Sequence, residues 1–82
     1  MIRRDVVIRV SEGLHARPAA EFVRLCIESG ERIIVRRSDG KEALGTSMLG
    51  VLTLGLKRGD VATIEAPDSA ESLVETLVSL LG

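Results

Sequence analysis

The chain carries one histidine, His15, inside Gly13-Leu14-His15-Ala16-Arg17-Pro18-Ala19, where an alternating segment gives way to a helical one. With His15 as the helix cap, Ala16, Arg17 and Pro18 form the first turn, and the amides of Ala16 and Arg17 have no intrahelical acceptor. Pro18 has no N–H to leave unsatisfied, and its fixed φ suits the start of a helix. Free amides, the positive end of the helix dipole and the Arg17 fork together attract a phosphate-like anion. A neutral imidazole carries a free nitrogen lone pair that can attack a phosphoryl group. The product would gain negative charge beside the helix end and Arg17, and its N–P bond stays reactive. Such chemistry favours a relay over a hydrolase. The competing explanation is a histidine that only caps a helix.

Other residues offer less chemistry. Thr46 or Ser47 is positioned to cap a short helix through its hydroxyl. Met48, Leu49 and Leu52 exceed what one face of that helix can bury, so part of them should form an exposed apolar patch, with Arg24 as a positive rim. Arg17 and Glu21 have the spacing of a surface ion pair. Cys26 lies on an apolar stripe and is expected in the core, and a lone cysteine can form no internal disulfide. One His and one Cys make no metal site, and neither a P-loop nor a dinucleotide fingerprint occurs. No metal and no cofactor are therefore expected.

These residues must be positioned by one small domain spanning 1–82. Its core has to be aliphatic, because one Phe is the only aromatic residue among 82. Few aromatic surfaces are thereby offered for stacking nucleic-acid bases, and a formal net charge of -1 argues against nonspecific nucleic-acid binding. The stretch Met48 to Leu56 is too short and too interrupted by glycine to cross a bilayer, so no membrane insertion is expected. A signal-like run is absent near the N-terminus, which makes the cytoplasm the expected location.

Residues 2 to 10 alternate, with Val6, Ile8 and Val10 on one face, as a half-covered strand does. Ala19, Phe22, Val23, Cys26 and Ile27 follow helical spacing, and Gly30 is a natural stop. Ile33 and Val35 mark a second strand, Ser38-Asp39-Gly40-Lys41 a hairpin turn, and Lys41 to Leu44 a third strand. The short helix follows, then a turn at Lys57-Arg58-Gly59-Asp60 and a fourth strand carrying Ala62, Ile64 and Ala66. Asp68 and Glu71 read as a capping box for a last helix with Ala70, Leu73, Val74, Leu77, Val78 and Leu81 on its apolar side. The order βαββαβα suits an α/β (α+β) domain in which helices cover one face of an antiparallel sheet.

Gly13-Leu14-His15-Ala16-Arg17-Pro18-Ala19, together with Ser47-Met48-Leu49-Gly50-Val51 and Leu54-Gly55, resembles the histidine-containing phosphocarrier (HPr) family over nearly the whole chain. The resemblance implies an open-faced β-sandwich: a four-stranded antiparallel sheet of order 1-4-2-3 with three helices on one side. It implies that His15 accepts phosphate on Nδ1 from enzyme I, charged by phosphoenolpyruvate, and passes it to an enzyme IIA of the sugar phosphotransferase system. The protein would then be a carrier with a transient phosphohistidine, not an enzyme, working as a monomer. Arg17 would stabilise the phosphate, and Met48, Leu49, Leu52 and Arg24 would lie beside the histidine as the docking surface. Ser47 would stand where many relatives are phosphorylated by a serine kinase, with a phosphorylase and a transcription regulator as further partners. Here Leu44-Gly45-Thr46 precedes it, where many relatives place a lysine next to the serine. Two alternatives come with the resemblance: a regulatory protein acting mainly through Ser47, and a carrier of the nitrogen-related branch.

Overall fold

The computed structural model describes residues 1–82. The strands are β1 (Ile2–Val7), β2 (Ile34–Arg37), β3 (Glu42–Leu44) and β4 (Val61–Ala66), and the helices α1 (Ala16–Ser29), α2 (Met48–Thr53) and α3 (Glu71–Leu81). The four strands form one antiparallel sheet in the order β1-β4-β2-β3. All three helices pack on one side of it, as the βαββαβα pattern led us to expect.

Alternation sorts the sheet into two faces. Val6, Val35, Ala62 and Ile64 point inward and are buried beneath the helices. Phe22 sits at the centre of this aliphatic core with no exposed surface, and burying a side chain of that size contributes about 1.5–3 kcal/mol. The outer face carries charge in rows. Arg3 lies 3.0 Å from Glu65, Arg36 donates to both Glu65 and Glu42, and the Thr63 hydroxyl donates to Asp5 at 2.7 Å. Because β4 is central, the arginines of β1 and β2 close over Glu65, which becomes a buried carboxylate that alternation alone places at the surface.

Three expectations need correction. The first strand ends at Val7 instead of reaching Val10, because its partner β4 begins at Val61, opposite Val7. Beyond that point the chain bonds elsewhere: Ile8 N–H goes to the Asp60 carbonyl, and Arg9 and Val10 N–H go to the Leu81 carbonyl. The capping box at Asp68 and Glu71 does not form. Residues Asp68–Ala70 make a 3-10 turn without a side-chain cap, and the Asp68 carboxylate binds the Met1 ammonium at 2.7 Å. Ile27 was expected in the buried stripe of α1 but is 58% exposed, since Ala19, Phe22, Val23 and Cys26 already fill the face turned to the sheet.

Candidate functional site

The site begins where β1 has ended and the chain turns into α1. Ser11 and Glu12 are the middle of a turn closed by the Gly13 N–H on the Val10 carbonyl at 3.0 Å. Leu14 is fully buried, and its N–H bonds the Leu56 carbonyl at 2.9 Å. Between them, Gly13 has φ +67°, and a Cβ there would lie 2.7 Å from the Leu56 oxygen and 2.9 Å from Lys57 Cα. Only glycine satisfies both the backbone angle and the contact. His15 is thus delivered by a turn anchored on both sides.

His15 is the N-cap of α1, in extended conformation and half-buried, and its side chain makes no capping bond. The backbone cap is as expected, but the first turn is not regular. Ala16 has φ +51°, the one non-glycine residue in the left-handed region, where an L-residue is disfavoured by roughly 1–2 kcal/mol. A chain that passes from the extended His15 into a helix constrained by the buried Pro18 reverses within a single residue, and Ala16 is that residue. The amides of Ala16 and Arg17 find no backbone acceptor. Both residues are exposed.

Arg17 takes part in no ion pair, so the expected Arg17–Glu21 pair is absent. Glu21 is engaged by Arg24, one turn further along the helix, at 2.8 Å, and Arg24 reaches Glu28 at 3.0 Å with its other nitrogen. Those hydrogen bonds hold Glu21 below the usual carboxylate range and raise the Arg24 guanidinium further. Arg24 engages two carboxylates of its own helix face, Glu21 among them, and Arg17 is left without an ion pair. The charge of Arg24, expected as a positive rim to the apolar patch, is balanced in this structure by two carboxylates. Arg17 lines a surface cleft of about 550 Å³ together with Glu12, Ala16, Pro18, Glu21 and Leu80. His15 immediately precedes this lining without belonging to it.

Of the two candidate hydroxyls, Ser47 makes the cap of α2, its Oγ accepting from the Gly50 N–H at 3.0 Å. Within α2, Val51 is buried and Leu49 is 78% exposed, with Met48 and Leu52 also reaching solvent. A helix of six residues has only one side to lay on the core, and the remaining apolar side chains stand outward. Met48 joins Ala20, Val23, Arg24, Ile27 and Glu28 around a shallow groove of about 380 Å³ between α1 and α2. Ile27, assigned to the core by its spacing, therefore belongs to the same apolar surface as Met48. No helix of the structure is long and apolar enough to cross a membrane, and no group of three or more His, Cys, Asp or Glu side chains is arranged to hold a metal.

The sequence matches the family model described as "PTS HPr component phosphorylation site" over residues 2–82. It is 40% identical over 82 residues to the phosphocarrier protein HPr of Vibrio cholerae, covering 99% of this chain and 95% of that one. With the phosphocarrier protein HPr of Streptomyces coelicolor it shares 37% identity over 82 residues, covering 99% and 88% of the two chains. The crystal structure of a phosphocarrier protein HPr from Bacillus anthracis superposes with a TM-score of 0.92 at 29% identity, covering 99% of this chain and 96% of that one.

Proposed function

The chain belongs to the HPr family of phosphocarrier proteins of the phosphotransferase system, and from that premise we propose that it takes a phosphoryl group on His15 from phosphorylated enzyme I and passes it to an enzyme IIA. The observation that carries this reading is the pairing of a half-buried His15, uncommitted at its helix cap, with an Arg17 that has no partner. In the forward step the Nδ1 lone pair of the neutral imidazole attacks phosphorus. The new N–P bond forms as the bond to the donor nitrogen of enzyme I breaks, and that nitrogen keeps the electron pair. The second step repeats this with His15 as the leaving group. Phosphoryl transfer depends mainly on positioning and charge stabilisation, and an open site on a small domain leaves part of both to each partner.

Arg17 supplies the fork that follows the phosphate, together with the exposed amides of Ala16 and Arg17. Met48, Leu49 and Leu52 form the docking patch, and Ile27 extends it onto α1. Any partner that uses Arg24 as a cation has to draw it from Glu21 and Glu28. Ser47 is a regulatory site in this reading only if its kinase accepts a hydroxyl engaged in a cap. A phosphate added there would stand at the start of α2 and disturb docking by charge, without unfolding the helix. The protein would act in the cytoplasm as a monomer.

Incubation with phosphoenolpyruvate and enzyme I should give acid-labile, base-stable phosphate in the wild type and none in His15→Ala. A wild type left unlabelled by a competent enzyme I overturns the carrier reading. Label that survives the substitution moves the acceptor away from His15.

A further inference from the structure

The cleft beside His15 contains a carboxylate for which phosphate binding has no evident use. Glu12 lies on the turn closed by Val10 and Gly13 and faces the same cleft as Ala16 and Arg17. Its position is not adjustable by backbone motion at low cost. The residues before it are bonded to Leu81, and those after it to Val10 and Leu56. The other acid of the cleft, Glu21, is neutralised by Arg24, whereas Glu12 receives only the Ser11 hydroxyl at 3.1 Å. Glu12 is therefore the one uncompensated anion in the lining that also contains the uncompensated Arg17.

We infer that Glu12 is a positioning residue that lowers the stability of phosphorylated His15 and so raises the phosphoryl-transfer potential of the protein; this rests on the carrier reading of His15. Two effects act in the same direction. In the unmodified protein the Glu12 charge attracts Arg17 across the cleft they share without forming an ion pair with it, so phosphate has to compete for the guanidinium. After transfer, the phosphoryl group brings nearly two negative charges to His15, next in sequence to a cleft lining that already holds the Glu12 charge. Both favour handing the group onward. Attraction from Arg17 and the helix end is thereby offset, which keeps the carrier from becoming a sink.

A dianion and a unit charge facing water across a cleft interact weakly at physiological salt, enough for roughly a two- to four-fold change in an equilibrium constant. The test sets wild type, Glu12→Gln, Glu12→Lys and Glu71→Gln against defined phosphoenolpyruvate and pyruvate ratios with catalytic enzyme I, and measures the phosphorylated fraction. Glu71 is exposed at the far end of α3 from Leu80, so its variant changes net charge equally without touching the cleft. Glu12→Gln should shift the equilibrium roughly two- to four-fold toward the phosphorylated form, and Glu12→Lys further. The shift should vanish at about 1 M salt, where the screening length is about 3 Å. An unchanged equilibrium in Glu12→Gln, an equal shift in Glu71→Gln, or a shift that persists at high salt overturns the inference. A wild type that takes no phosphate overturns the carrier reading instead.

Discussion

Gly45 and Cys26 provide a sharp test of how the second half of the site is held. A Cβ on Gly45 would stand 2.7 Å from Cys26 Sγ, and 3.1 and 3.3 Å from Ile33 Cβ and Cγ2. Gly45 is buried, and its N–H bonds the Ile33 carbonyl at 2.7 Å. This contact sets the path of the chain into the Ser47 cap. In Gly45→Ala the sulfur has to retreat into a core already filled by Phe22 and Val23, and overpacking of this kind costs about 1–3 kcal/mol. The lower backbone entropy of an unfolded alanine returns about 0.4–1 kcal/mol, which leaves a destabilisation between about 0 and 2.6 kcal/mol. Cys26→Ala alone deletes one buried heavy atom and should cost about 1 kcal/mol. In the double variant the new methyl occupies the space vacated by sulfur. Its destabilisation should then fall short of the sum by about 1 kcal/mol or more, several degrees of Tm in a domain of this size. Urea denaturation of the four proteins measures the coupling. Additivity within about 0.5 kcal/mol would refute the proposed contact between the α1 thiol and the loop before α2.

Other consequences are as direct. Arg17→Lys keeps the charge but loses the planar fork, so it should slow transfer from enzyme I while leaving the urea midpoint in place; equal rates for the two proteins count against a bidentate role. Leu49→Asp puts a charge on the most exposed large apolar residue of α2 and should weaken binding to enzyme I with little loss of stability, as titration calorimetry beside a thermal melt will read. Burial pushes the Cys26 thiol up to about 12 from 9.0. The folded pKa is raised, so the thiol's contribution is fully present below pH 9 and lost as pH rises toward about 12, because the unfolded chain ionises first. Stability should fall more steeply over that alkaline range in wild type than in Cys26→Ala.

Most of the fold was legible because its signals are local. Alternation and helical spacing mark each strand and helix, and Gly30 closes α1 with φ +70°, the left-handed conformation expected of a helix-terminating glycine. The errors share one cause. Strand length at Val7, the fate of Asp68, and the exposure of Ile27 depend on which partner another part of the chain presents. Arg17 and Glu21 have ideal pairing distance in sequence, yet Arg24 competes for Glu21 from the same helix face and takes it. Spacing can propose a pair; it does not rank rivals.

From the sequence alone came the reactive group and its neighbours: a single His15 ahead of a helix, Arg17 two residues on, a proline in the first turn, and a serine before a short apolar helix. Side-chain chemistry and period are properties of the chain itself, so no fold is needed to see them. Tertiary structure decided what surrounds them. It bent Ala16 into the left-handed region and turned Glu12 into the cleft that Arg17 lines. It also set Ile27 beside Met48 and buried Glu65 beneath two arginines. Those outcomes follow from the strand order and from packing three helices against one face of the sheet, where the neighbour each element meets determines which groups are paired, strained or free.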